Sequence, residues 1–243
     1  MTTQLSPSGL ALPDGSILSA VNYFQIITSS GIWNKPSWAT GNHLVVIDGF
    51  GGGAAACSTG SIDLNRWGST GGGGGAYIRK EFLASSLPSS LYITVGASAT
   101  PNSSGNHSGV GNSIGSPWDY LYVNGGLTGA TEYFSDYYDS GMLTTGGLGG
   151  IPYSPPAILS YAGGKGAITQ TSNDLNFYNT PAPPAYGGVG GASYAYNNYN
   201  YFAQGGNPNS NGNIPGGGGG CKTTFAGTQG SGARGEIRIR IFV

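Results

Sequence analysis

Several groups of residues in this sequence have side chains that could do chemistry, beginning with three acids. Glu132, Asp136 and Asp139 lie close together and could hold a calcium ion. They lack the alternate-oxygen spacing and turn glycine of a calcium loop, so they read as solvated loop acids. Cys57 and Cys221 are the only cysteines, and each closes a run of small residues. A disulfide or half a metal site would use them, but without a CxxC spacing or a histidine partner they read as two small buried hydrophobes. Gly49-Phe-Gly-Gly-Gly-Ala54 follows an apolar strand and spells G-x-G-x-x-A, which binds a dinucleotide only where a helix comes next. What comes next is Cys57-Ser-Thr-Gly-Ser and further glycine, so that reading fails. Gly111-Asn-Ser-Ile-Gly115 matches a nucleophile-elbow string that chance supplies in so glycine-rich a chain. His43 and His107 have no visible carboxylate partner. A glycan hydrolase would need two carboxylates set apart in a groove, and the ten Asp and Glu leave that open without pointing to it. The expectation is a protein that is not an enzyme, with no cofactor and no metal.

The aromatic residues point to binding. Residues 130–142 contain Tyr133, Phe134, Tyr137 and Tyr138, and residues 192–204 contain Tyr194, Tyr196, Tyr199 and Tyr201 among Asn, Ser and Ala. Tyr153 and Tyr161 lie in segment 151–162, and Tyr178 and Tyr186 in segment 168–186. Tyr mixed with Ser, Gly and Asn is the composition of antibody paratopes, where rigid amphipathic rings give contact area at low entropy cost. The same rings could instead pack against bare glycine backbone and seal it. Both readings stand at this point.

Composition narrows the partner. Charged residues are 8% of the chain and the net charge is −1, so nine Lys and Arg cannot form the basic stripe that nucleic acid needs. No basic, then apolar, leader opens the sequence, and no apolar run approaches membrane-spanning length. The expectation is therefore no nucleic acid, no membrane insertion and folding in a cytoplasm. Glycine supplies 47 of 243 residues, clumped at Gly51 to Gly53, Gly71 to Gly75, Gly187-Gly188, Gly190-Gly191 and Gly216 to Gly220. A run without side chains stays ordered only where backbones must approach closely or turn unusually. Sixteen Tyr, four Trp and a near-zero charge argue against disorder.

The elements that must position these residues are strands. Residues 10–21 read as a short hairpin around Pro13-Asp14-Gly15. Tyr23 to Thr28, His43 to Asp48, Ala76 to Leu83, Leu91 to Val95 and Trp118 to Val123 follow as strands. The last strand puts Ile237, Ile239, Ile241 and Val243 inward and Glu236, Arg238, Arg240 and Phe242 outward. Between about 124 and 235, glycine clusters alternate with Tyr, Asn, Pro and Ser segments, and no segment keeps a helical apolar period. The glycine parts read as parallel polyglycine II strands, with the intervening segments emerging as loops at the ends.

Ser30-Gly-Ile-Trp-Asn-Lys-Pro36, the strand His43 to Asp48 running into Gly-Phe-Gly-Gly-Gly, Gly71 to Gly75 with Ala-Tyr, Leu91-Tyr-Ile-Thr-Val-Gly-Ala97 and Gly230 to Arg240 form an ordered set. That set resembles the glycine-rich domain of bacteriophage tail-fibre and tail-tip proteins, over roughly residues 28 to 243. The alternation after residue 124 is similar in style to the tip adhesins of T-even-like long tail fibres. Val95-Gly-Ala-Ser-Ala-Thr100 departs from the pattern by lacking the glycines that usually follow, and the middle is richer in Tyr and Asn. The resemblance implies recognition of a host receptor by variable loops.

The expected architecture is all-β: a β-sandwich-like domain with a glycine-rich, polyglycine II-type layer and long surface loops. Residues 1–28 form an N-terminal attachment segment and 29–243 the glycine-rich β domain, with Trp33 and Pro36 structural. The expected function is a tail-fibre or tail-tip receptor-binding protein, whose twelve Tyr and Phe named above grip a bacterial outer-membrane protein or glycan without covalent chemistry. Other tail or fibre proteins would hold the N-terminal segment, and the place of action would be the virion. A homotrimer and a single tip on a trimeric shaft both fit. The alternative is a structural virion protein of tail, baseplate or capsid whose loops are covered by neighbours, and an eggshell- or wall-type glycine-rich protein fits less well.

Overall fold

The structure is a computed structural model. It describes residues 4–6, 9–11, 17–19, 21–58, 69–113, 119–133, 142–145, 148, 150–151, 159–163, 193–194, 201–203, 210–220 and 229–242. Nine strands make the framework: β1 (Val21–Ile27), β2 (Gly31–Asn34), β3 (Leu44–Phe50), β4 (Tyr77–Leu83), β5 (Ser90–Thr94), β6 (Ser108–Gly111), β7 (Leu121–Val123), β8 (Leu159–Tyr161) and β9 (Glu236–Phe242). A five-stranded antiparallel sheet has the order β8-β4-β3-β9-β1, and a four-stranded one the order β7-β6-β5-β2. The protein is therefore all-β and sandwich-like. Its strands carry β-branched and aromatic residues in alternation, the pattern that suits a pleated, half-buried surface.

The two sheets close on one core. Val45, Ile47, Ile78, Ile237, Ile239 and Ile241 come from the larger sheet, and Leu91, Ile93, Val110, Leu121 and Val123 from the smaller. Each such side chain taken out of water contributes about 1.5–3 kcal/mol. Gly49 lets the sheets meet, because a Cβ there would come within 2.5 Å of Leu121. Trp33 is buried and donates its indole N–H to Tyr23 Oη at 3.0 Å, which gives it the structural place expected of it.

Upstream, the hairpin expected around Pro13-Asp14-Gly15 is present as Gly9–Ala11 paired with Ile17–Ser19, and Gln4–Ser6 adds a third strand. The boundary drawn at residue 28 falls after β1, which is an edge strand of the main sheet. On β9 the outward face keeps its alternation but is less exposed than the pattern implies. Glu236 is buried, at 5% exposure, while Arg238 and Arg240 are half-buried. Arg234 and Arg238 flank its carboxylate at 3.3 and 2.6 Å, and that pairing is what makes its burial tolerable.

Beyond the sheets, strands continue as glycine. β3 runs into residues 51–56, and the amides of that run point in turn to three different neighbours. Gly51 and Ala54 donate to the carbonyls of Ala76 and Gly73, Gly52 and Ala55 to Asn106 and Ser103, and Gly53 and Ala56 to Ala233 and Gly230, all at 2.8–3.0 Å. A partner that recurs every third residue is the signature of a three-residue-per-turn helix, so the layer is of the polyglycine II type. The run also accepts from Gly126, Gly219 and Asn102, so other backbone surrounds it.

The direction of packing is mixed rather than parallel throughout. As the donor advances three residues, the acceptor retreats three, so these neighbours are antiparallel rather than parallel. Gly72 and Gly75 with Gly219 and Gly216, and Gly73 and Ala76 with Leu127 and Asn124, repeat the rule. Physically, each run leaves the sandwich, meets a connection and returns beside itself, which forces alternate directions. Residues 51–56 and 216–220 run the same way, both outward, with Gly219 donating to Ala54.

Candidate binding surface

The bundle has two unlike ends. At one end Phe50, Ala76, Asn124 and Gly235 adjoin framework strands. At the other, runs 51–56 and 71–76 meet the paired residues Cys57–Ser58 and Ser69–Thr70. The hairpin Ala130–Tyr133 with Met142–Thr145 lies against that pair. Asn102 donates its amide to Ala56 O at 3.0 Å, Ala56 donates to Gly230 O, and Gly230 and Gly220 link on to Ser210 O. The anchor residues of the connections at 59–68 and 221–228, together with Ser210 and the hairpin that carries 134–141, therefore gather at one end.

The described side chains there are small, polar and uncharged. Gln229 Nε2 donates to Asn102 Oδ1 at 3.2 Å, Ser231 N to Asn211 Oδ1 at 2.8 Å, and Thr128 N to Ser104 Oγ at 3.2 Å. Asn102 sits at φ 64°, a left-handed conformation that asparagine tolerates better than most residues. Thr100, Pro101, Asn102, Ser104, Ser210 and Asn211 are exposed. Such a surface can exchange neutral hydrogen bonds and offers no ion pair. Cys57 is half-buried; burial pushes its thiol up, opposed by a hydrogen bond with Thr128. Thr70, opposite it, has a buried hydroxyl without a hydrogen-bond partner.

Of the twelve aromatic candidates, four fall on described residues. Tyr133 pairs with Met142 at the tip-side end of its hairpin, and Tyr194 pairs with Tyr201 in a second hairpin. Tyr161 is on β8, half-buried and stacked on Tyr77 with ring centroids 6.2 Å apart, so it belongs with the sheet and not with the loop anchors. Phe134, Tyr137, Tyr138, Tyr153, Tyr178, Tyr186, Tyr196 and Tyr199 lie outside the described residues, as do Asp136, Asp139 and Cys221. Among the described residues no three His, Cys, Asp or Glu come together as a metal site, and no helix is long and apolar enough to cross a membrane. The G-x-G-x-x-A segment leads from β3 into the glycine layer, so no helix end is available for a pyrophosphate.

One constellation escaped the sequence reading. Asp48, in the middle of β3, is buried and accepts from Tyr77 Oη at 2.6 Å, Arg79 Nε at 2.7 Å and Arg240 Nη2. Burial first, and then the adjacent Asp48 carboxylate, push the Tyr77 phenol far above its ordinary value. Phe50 packs on Tyr77 at 5.0 Å and lies under the Arg238 guanidinium. The carboxylate is fully engaged by donors, and the cluster sits on the outer face of the sheet beside Tyr161, at the end of the molecule away from the loop anchors. Its chemistry is that of a structural lock. The only signal in the sequence was an acid inside an apolar strand, whose arginine partners become visible once the register is known.

An all-β sandwich prolonged into a glycine layer that ends in loop anchors defines a class of glycine-rich β domain. The glycine-rich domain family matches residues 27–242, and the chain belongs to that family. None of the curated proteins matches it.

Proposed function

We propose that this protein is a receptor-binding tip of a bacteriophage tail fibre, gripping a host surface molecule without covalent chemistry. The observation that carries the reading is the gathering of loop anchors at one end of a backbone-bonded bundle, with the sandwich at the other. Such a construction holds its contacts rigidly while leaving their sequence free, which is what recognition of a variable surface needs. Of these connections, 134–141 carries Phe134, Tyr137 and Tyr138, which supply ring stacking, and the Asn, Ser and Thr around the anchors supply neutral hydrogen bonds. The resemblance to tail-fibre glycine-rich domains supports the same reading.

The test is selective attachment. Purified protein is incubated with a panel of bacterial strains, and each strain is scored for binding and for protection against the phage that encodes the protein. Selective binding with blocked infection is the expected result. Binding to no strain, or blocking none, would leave the structural virion role as the better account.

A further inference from the structure

The five-stranded sheet ends on β1, and no described strand pairs with the far side of that strand. Its other edge, β8, has three residues; β1 has seven. A strand edge presents unpaired N–H and C=O groups, and proteins usually blunt it with Lys, Pro, a bulge or brevity. β1 reads Val-Asn-Tyr-Phe-Gln-Ile-Ile, without charge or proline. The register shift in its pairing with β9 falls at Ile241/Phe242, opposite the start of β1, and leaves Tyr23 to Ile27 regular. Phe24 and Ile26 face Arg240 and Arg238 in register and are 55% and 46% exposed. Ile32, on the neighbouring edge β2, is also exposed.

We propose that β1 is an association edge for a second copy of this chain, pairing antiparallel with the same strand about a two-fold axis at Gln25. That centre sets Phe24 against Ile26 and Tyr23 against Ile27, each in both directions. Every side chain flanking the axis then meets an apolar or aromatic one, and such cross-strand pairs are favourable. Charge argues for the same occupant. From Gly15 to Asn34 the chain has no charged residue. A charged partner would find nothing to pair with, whereas two copies meet without repulsion. The contact is isologous, so it uses up both edges and closes at a dimer instead of growing into a fibre.

Sedimentation equilibrium of the full chain over a concentration series reads the association. The wild type is expected to dimerise reversibly. Ile26→Lys, which places a charge on the edge, should weaken the dimer at least about tenfold, with a melting temperature unchanged at dilutions where the wild type is monomeric. Gln25→Cys puts two thiols at the axis and should give a disulfide-linked dimer on mild oxidation, above the wild-type background from Cys57 and Cys221. Ser29→Cys, off the axis, should not. If Ile26→Lys does not fold, the Gln25→Cys cross-link decides. A wild type monomeric at every concentration with Gln25→Cys uncross-linked overturns the proposal, and so does a dimer that neither substitution affects. Association that requires a strand from a different protein overturns the assignment to a second copy.

Discussion

Gly53 donates its amide to the carbonyl of Ala233 at 2.8 Å, tying the run that leaves β3 to the run that enters β9. The same glycine has no room for a side chain, since a Cβ on it would lie 2.0 Å from Gly217 O. Among the described glycines only Gly41 and Gly216 have positive φ. Closeness of backbones, rather than unusual dihedrals, therefore explains most of the glycine.

Gly53→Ala should destabilise the domain by roughly 3 kcal/mol or more, because the clash is with the main chain of Gly216 and Gly217 and cannot be relieved by a rotamer change. Gly218→Val should act likewise, its Cβ meeting Gly72 O at 2.1 Å. Gly31→Ala is the control. Nothing lies within 4 Å of the added carbon, and in a strand the change should be neutral or stabilising by about 0.5–1 kcal/mol. Urea unfolding of the three variants separates scaffold from linker, and equal stabilities would return the linker reading.

Asp48→Ala should cost about 3–5 kcal/mol, since it strands Arg79, Arg240 and the buried Tyr77 hydroxyl without their shared acceptor. A midpoint unchanged from wild type in denaturant titration would show that the cluster is not a lock.

His107 packs on Tyr122 at 5.4 Å, and burial holds its imidazole below the usual 6.5. Between that lowered value and 6.5 the unfolded chain binds the proton more readily than the folded one. Stability should therefore fall as pH drops through 6.5 and level off below the folded value. Melting temperatures from pH 8 to pH 4 should show a shallower fall in His107→Gln than in wild type.

Tyr199→Ala should weaken attachment to cells and leave the melting temperature alone, whereas Tyr161→Ala should do the reverse through its lost stack on Tyr77. Parallel cell-binding and calorimetric measurements distinguish them. Identical effects at both positions would refute the division between loop rings and sheet rings.

If the proposed contact rests on Tyr rings and neutral hydrogen bonds, attachment should change by less than about twofold between low and high salt. A titration of cell binding against sodium chloride checks this, and a steep fall would point to an ionic contact elsewhere.

Much of the framework could be read from alternation alone. The buried partners in β5 and β9, Leu91 with Ile93 and Ile237 with Ile239 and Ile241, follow a two-residue period that needs no tertiary information. The glycine layer could be inferred as ordered, but not its direction. Hydrogen bonds from 51–56 reach residues as distant as Ala233, and no local pattern says which run lies beside which. Asp48 was beyond reach for a related reason. An acid in a strand reads as surface until the cross-strand arginines that neutralise it are placed by register. For the binding surface, composition identified the aromatic segments, while the gathering of loop anchors at one end depended on the antiparallel return of runs such as 51–56 and 71–76.

The three-way bonding of residues 51–56 also bears on how such a protein changes over generations. Its cohesion comes from main-chain groups, which every residue type but proline carries in full, and not from particular side chains. Whole connections can be traded between relatives as cassettes, with the glycine-coding stretches on either side serving as uniform joints. On the proposed receptor-binding function, host range would then shift in single exchanges, each leaving a folded protein behind.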